Sequence, residues 1–191
     1  MILLLAILIG LAATLLRARW HHQSLKLKRL RWEWLVLLAG IPQYLVFQLP
    51  LTARWIPENM VPGIQIFTML GLVFFAVINL SAPGFWAMGL GLGSNFLVIL
   101  LNGGWMPISQ ETLTRLSPSQ PMDYWVVGTR LGLGKDLIMA ASTIKLIWLS
   151  DFFTLPQWFS YRVAFSLGDV FISIGSILLL WSLSHKEEEK I

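Results

Sequence analysis

The sequence predicts an all-α, polytopic membrane protein: a bundle of five transmembrane helices with one long extracytoplasmic loop. Of the 191 residues, 56% are hydrophobic and only 13% are charged, about half of the roughly 25% that is usual in soluble domains. Mean hydropathy is +0.69, and long stretches carry no ionisable side chain, which is typical of membrane spans. This composition excludes a soluble enzyme and a disordered chain. The absence of cysteine excludes disulfides and thiolate-ligated metals, and we expect no cofactor.

Five apolar segments predict the spans, and together they make the whole chain, 1–191, a single integral membrane domain. The first segment is short for a bilayer of roughly 30 Å, but Arg17 and Arg19 can extend it by snorkelling. Its charges follow the apolar run, whereas those of a cleaved signal peptide precede it, so we expect a retained helix. The predicted spans are 2–16, 32–51, 64–82, 85–101 and 163–183.

The basic segment 17–31 predicts the orientation of the bundle. It contains six Lys and Arg residues, and short cationic loops stay on the cytoplasmic side. We therefore expect a bacterial cytoplasmic (inner) membrane protein with its N-terminus outside, its C-terminus in the cytoplasm and residues 102–162 outside. The sequence pI of about 9.7 also suggests nucleic-acid binding. A juxtamembrane topology signal explains the same charges, so the expected partners are membrane lipids and other membrane subunits, and no nucleic acid.

The segment 137–150 within the long outer loop is ambiguous. It is apolar apart from Lys145 and a few hydroxyl side chains. Its 14 residues are too few for a span and suit an interfacial or re-entrant segment. Five spans are thus favoured, and a sixth span here is the alternative.

Polar side chains inside the predicted spans fall on single helix faces. Because a polar group in lipid is costly unless it faces protein or a cavity, these faces should converge in the bundle interior, beneath the outer loop. Helix–helix hydrogen bonding explains most of them, whereas the intramembrane carboxylate Asp169 is equally a functional candidate. The three faces carry Ser166, Asp169, Ser173 and Ser176; Gln65, Thr68 and Asn79; and Asn95 with Asn102.

Glycine patterns predict two further features. Gly89 and Gly93 form a GxxxG motif, which predicts close helix packing. Asn102-Gly103-Gly104 predicts the end of the fourth helix, and a short helix over 109–116 should follow. We expect Asp169 to accept hydrogen bonds from this Asn-Gly-Gly turn or from Arg162.

The chain resembles a family of small bacterial multi-span membrane proteins of unknown function over nearly its whole length. The marks are the first helix with its basic loop, and the motifs LNGGWMPIS (101–109), LSDFFTLP (149–156) and FSLGDVFI (165–172). Family members more often carry Gly where Ser150 stands. Membership implies no activity.

The last 45 or so residues are also similar to signal peptidase II, an aspartic peptidase that processes lipoproteins. Asp151 and the FSLGD motif that ends at Asp169 match its two catalytic aspartates in spacing. The Asn-Arg pair that precedes the family's first Asp is missing here, and five spans replace four. Three functions stay open: an accessory or apolar-ligand-binding subunit, which we favour; an intramembrane aspartic peptidase using Asp151 and Asp169; and a transporter, disfavoured because inverted repeats are absent.

Overall fold

The structure is a computed structural model that describes residues 2–22, 24–25, 29–159 and 161–185. It is mostly helical with a few short strands. Its helices are α1 (Ile2–Trp20), α2 (Trp34–Phe47), α3 (Pro50–Ala53), α4 (Val61–Ile78), α5 (Phe85–Leu101), α6 (Gln110–Leu116) and α7 (Leu167–Trp181). Its strands are β1 (Ser24–Leu25), β2 (Met106–Ser109), β3 (Asp136–Met139), β4 (Phe153–Thr154), β5 (Ala164–Phe165) and β6 (Ser184–His185).

Among the described residues, two helical segments, Ile2–Trp20 and Glu58–Ile78, are long and apolar enough to cross a membrane, where the sequence predicted five. At 1.5 Å per residue, the 14 residues of α2 and the 15 of α7 reach only about 21 and 23 Å. The second predicted span stops early because Pro50 cannot continue α2 and instead begins the short α3. The last begins late because Ser166 and Asp169 form a capping box.

The five long helices form an array in the order α2, α4, α5, α7, α1, in which each helix packs on its neighbours. The closest approach is between α5 and α7, where glycines meet. A methyl group at Gly91 would collide with the carbonyl oxygen of Gly168 and lie 2.8 Å from the backbone nitrogen of Ile172. A methyl group at Gly175 would collide with the α5 residue Met88.

The prediction that Gly89 and Gly93 mediate close packing is wrong for Gly93. No atom lies within 4 Å of a methyl group built there, and one at Gly89 would make only ordinary 3.6 Å contacts with α4. The reason is helical geometry: Gly91 points roughly opposite to both residues, and it is the Gly91 face that turns towards α7.

The two ends of the array differ in what covers them. The N-terminal residues of α1 lie at the same end as the segment that follows α5, since Ile2 and Leu3 share a cavity with Met106 and Asp151. At the opposite end, β1 in the basic segment pairs with β6 in the tail. There the side chain of Asn79 holds the backbone of Arg31 by hydrogen bonds of 2.7 and 2.9 Å.

Residues 102–159 and 161–166, hereafter the cap, fold over one end of the array around a small core of their own. Parallel strands β2 and β3 pair, and Ile108, Leu113 and Ile138 are buried together. Helix α6 begins as expected, because the Ser109 hydroxyl accepts from the Thr112 amide at 3.1 Å. The ambiguous segment 137–150 contains most of β3 and two 3-10 turns, so it does not form a sixth transmembrane helix.

Candidate functional site

The first turn of α7 is fixed by a network that joins three of the predicted polar residues. The Ser166 hydroxyl accepts from the Asp169 amide at 3.0 Å, and the Asp169 carboxylate accepts from the Ser166 amide at 3.1 Å. Asn95 of α5 donates to the second Asp169 oxygen at 3.0 Å and accepts from the Ser166 hydroxyl at 2.8 Å. Asp169 therefore caps its own helix and ties it to α5.

The Asn-Gly-Gly turn has partners other than Asp169, so that expectation is wrong. Asn102 binds the backbone of Lys145 twice, at 3.0 Å each. Gly104, with φ +87°, packs against Pro62 at the start of α4, where any larger side chain would collide. Gly103 has open space around its α-carbon. The turn thus joins α4 to the Lys145 segment of the cap and does not reach Asp169, because Asn102 lies nearly two turns beyond the level of Asn95.

Asp151, the second predicted carboxylate, belongs to a charge cluster that sequence reasoning missed. The Lys135 ammonium donates to Asp151 at 2.7 Å and to Asp136 at 2.9 Å. Lys135 directly precedes β3, and pairing of β3 with β2 brings it beside the end of α5. The signal in the sequence is the Lys135-Asp136 pair next to an apolar run, which lies outside the predicted spans.

A cavity of about 440 Å³ lies beneath the cap, between the five long helices. Its size falls within the usual range for small-molecule sites, roughly 300–1,000 Å³. The wall is apolar and comes mainly from α4, α5 and α7, with Met69, Leu92, Ile99 and Ile172 among its residues. The polar lining residues, hereafter the polar end, are Gln43, Gln65, Asn95, Lys135, Asp136, Asp151 and Asp169.

Two buried acceptor atoms at this polar end have no hydrogen-bond partner within the described part of the chain: Oδ1 of Asp151 and Oε1 of Gln65. Asp151 is 4% exposed and Gln65 is 2% exposed. An unpaired buried acceptor costs about 1–3 kcal/mol, and more when it is charged. Nearby Gln43 instead donates to the Thr68 hydroxyl at 2.9 Å. The polar end is therefore short of hydrogen-bond donors.

The charges at the polar end act on one another. Burial raises the pKa of Asp151 to about 7, and repulsion from Asp136 and Asp169 adds to that rise, although Lys135 opposes it. Burial lowers the pKa of Lys135, but the three carboxylates outweigh that effect and raise the pKa overall. The cluster holds three acidic groups against one ammonium, so its net charge is −2 when all are ionised.

Asp151 and Asp169 line one cavity, but each carboxylate binds other residues. An aspartic dyad shares a proton between two carboxyls. Here one oxygen of Asp151 binds Lys135, while both oxygens of Asp169 accept hydrogen bonds from Ser166 and Asn95. Within the described residues, no three His, Asp or Glu side chains gather as metal ligands.

The model of DUF5317, a family of unknown function, matches residues 27–181 of the chain. That range includes α2 to α7 and the whole cap. No curated protein sequence matches the chain, and no solved structure does so either.

Proposed function

The chain belongs to the DUF5317 family of unknown function, and we propose that it is a membrane protein whose capped cavity binds an amphiphile. In this proposal it is a five-span protein of the bacterial cytoplasmic membrane. The main observation behind this proposal is the cavity itself, which has an apolar wall and a polar end with two buried, unpaired acceptors. An amphiphile matches both parts, because its chain covers the wall and its head reaches the polar end.

The outer surfaces of the helices support the membrane placement. Large apolar side chains face outwards on every long helix, as illustrated by Leu8 (55% exposed), Leu37 (64%) and Phe67 (71%). Such continuous apolar exposure is rare on soluble monomers. The three shorter helices complete a five-span bundle if the bilayer thins around them or flanking residues snorkel. Trp148 and Trp158, both well exposed on the cap, suit an interfacial aromatic belt.

The two ends of the array support the proposed topology. The cap lies at the end where α1 begins, which agrees with an N-terminus and a cap that are both outside. The basic segment and the tail pair at the other end, where lysine and arginine would face the cytoplasm and its anionic lipids.

A route for lipid into the cavity is also available. Helices α1 and α2 are the two ends of the array, and both line the cavity, through Ile2 and Leu3 on one side and Gln43 and Phe47 on the other. No extensive packing joins these two helices in the described structure. An acyl chain can therefore enter sideways from the bilayer. Of the two non-enzymatic roles predicted from the sequence, this geometry favours the ligand binder over an accessory subunit that holds no ligand.

The experiment fills the cavity and counts retained lipid. Leu92→Trp adds bulk to the cavity wall, and Leu90→Trp, on the same helix but with its side chain 49% exposed, is the matched control. Native mass spectrometry of protein released from nanodiscs should find one tightly held lipid on the wild type and on Leu90→Trp. It should find none on Leu92→Trp. Equal retention by all three proteins, or none by any, would refute the proposal.

The aspartic-peptidase alternative rests on one observation, that Asp151 and Asp169 line the same cavity. We expect no cleavage of a fluorogenic peptide bearing a diacylglyceryl-cysteine, because one Asp151 oxygen binds Lys135 and both Asp169 oxygens accept hydrogen bonds from Ser166 and Asn95. Cleavage that is lost in both Asp151→Asn and Asp169→Asn, but kept in the surface variant Glu111→Gln, would instead establish the peptidase.

A further inference from the structure

We infer that the head group recognised at the polar end of the cavity is a primary ammonium, the group carried by an aminolipid. This inference rests on the proposed binding function and specifies its ligand. It is carried by the buried, unpaired acceptors Asp151 Oδ1 and Gln65 Oε1, together with the charge balance of the groups around them.

Charge selects a cation. Asp136, Asp151 and Asp169 line the cavity, and Lys135 is the one cation among its described lining residues. This group of four side chains has a net charge of −2 when all are ionised. Buried charges are costly unless they are paired. A ligand with one positive charge reduces the imbalance, whereas an anionic head group would be repelled.

Hydrogen bonding selects an ammonium that carries protons. The unpaired atoms of Asp151 and Gln65 are both acceptors, so the ligand must donate. A primary ammonium has three N–H donors, and a quaternary ammonium has none. The chain already shows the coordination in part, because the Lys135 ammonium lies 2.7 Å from Asp151 and 2.9 Å from Asp136.

The apolar wall selects the rest of the molecule. Met69, Leu92 and Ile172 line the same cavity and offer no charge or hydrogen bond to a polar chain. A small hydrophilic amine would leave this wall uncovered. A long hydrocarbon chain attached to the ammonium covers it and gains about 0.8 kcal/mol for each buried methylene.

The test offers nanodiscs that contain equal amounts of phosphatidylethanolamine, phosphatidylcholine and phosphatidylglycerol with identical acyl chains. The first two carry the same net charge and differ in whether the nitrogen bears protons. We expect the wild type to retain phosphatidylethanolamine at least tenfold over either competitor, as measured by native mass spectrometry. Asp151→Asn should lose most of this preference, while Glu111→Gln, on the exposed face of α6, should keep it.

A second variant and a displacement assay distinguish the possible results. Gln65→Met keeps the side-chain size, removes one acceptor and should reduce the preference about threefold, which covers the case in which Asp151→Asn fails to fold. Dodecylammonium chloride should displace the bound lipid at lower concentration than dodecyltrimethylammonium chloride. Selective displacement without phosphatidylethanolamine preference would assign the site to a single-chain amine. Equal retention of all three lipids, together with equal displacement by the two dodecyl ammonium salts, would overturn the ammonium inference. It would leave the proposed function intact, provided that Leu92→Trp still removes the lipid.

Discussion

Replacing Gly91 by alanine tests the packing between α5 and α7. The added methyl group would collide with the Gly168 carbonyl and lie 2.8 Å from both the Ile172 nitrogen and its Cγ1 atom, where about 3.5–4.0 Å is comfortable. Because the atoms that the methyl group would meet include backbone atoms of α7, one helix must shift by nearly 1 Å. Overpacking of this kind costs about 1–3 kcal/mol. In a chain of this size each kcal/mol lowers Tm by about 2–4 °C.

Gly93→Ala is the matched control, since it lies on the same helix and a methyl group there meets nothing within 4 Å. Both substitutions gain helix propensity, up to about 1 kcal/mol, so their difference isolates the collision. Thermal unfolding in detergent, followed by circular dichroism, should place Gly91→Ala below the wild type and Gly93→Ala level with it or slightly above. Equal Tm values for the two variants would refute the packing argument.

Three further predictions concern stability and topology. Because burial holds the pKa of Asp151 near 7, against about 3.9 in the unfolded chain, the folded state binds more protons between these values. Tm should therefore fall as pH rises from 4 to 7, and this slope should vanish in Asp151→Asn; a Tm that rises over this interval would contradict the assignment. Asp169→Asn should cost about 1 kcal/mol of unfolding free energy, because an amide keeps only one of the two accepting oxygens; an unchanged chemical-denaturation midpoint would count against the capping network. The chain has no cysteine, so single cysteines can report the topology. A cysteine in place of Ser119 should react with an impermeant maleimide only from outside, and one in place of His22 only from inside. The opposite labelling pattern would contradict the proposed topology.

The helical part of the fold could be predicted from sequence because long apolar segments leave few alternatives. The bounds 85–101 of α5 are those expected, since Gly84 and Asn102 punctuate both ends. Other observed helix boundaries differ from the predicted ones, because local capping and proline residues determine where those helices begin and end. Pro50 ended α2 early, and the capping box at Ser166 started α7 several residues late. Hydropathy alone reports where a chain is apolar and does not show where its helix begins.

The candidate site could be predicted only in part. Periodicity within a helix placed Asn95 and Asp169 on inward faces, and they do meet. Their partners depended on the relative depth of two helices, so the distinction between Asn95 and Asn102 was beyond sequence reasoning. Lys135 was missed because it reaches the cavity through the parallel pairing of β2 and β3. A non-local contact of this kind has no signature in hydropathy.

The glycine spacing in the sequence also gave only part of the helix packing. Gly84, which caps the start of α5, and Gly91 within α5 are seven residues apart. Gly168 and Gly175 on α7 have the same spacing, and Gly84 faces Gly175 while Gly91 faces Gly168. A spacing of seven on both helices was visible in the sequence. The GxxxG motif predicted packing at Gly93 instead. Gly89, Gly91 and Gly93 alternate along the helix, so the sequence alone does not show which of their two faces packs against the neighbouring helix.

The most direct test of ligand binding in the cavity uses the methyl group of Met106, which lines the cavity and is 1% exposed. With methyl-labelled methionine in nanodiscs of phosphatidylethanolamine, nuclear Overhauser effects should link the Met106 methyl to acyl-chain methylenes. These effects should disappear in Leu92→Trp, while those of Met60, which is 56% exposed, should persist in both proteins. Acyl-chain contacts at Met60 with none at Met106 in the wild type would contradict an amphiphile in the cavity.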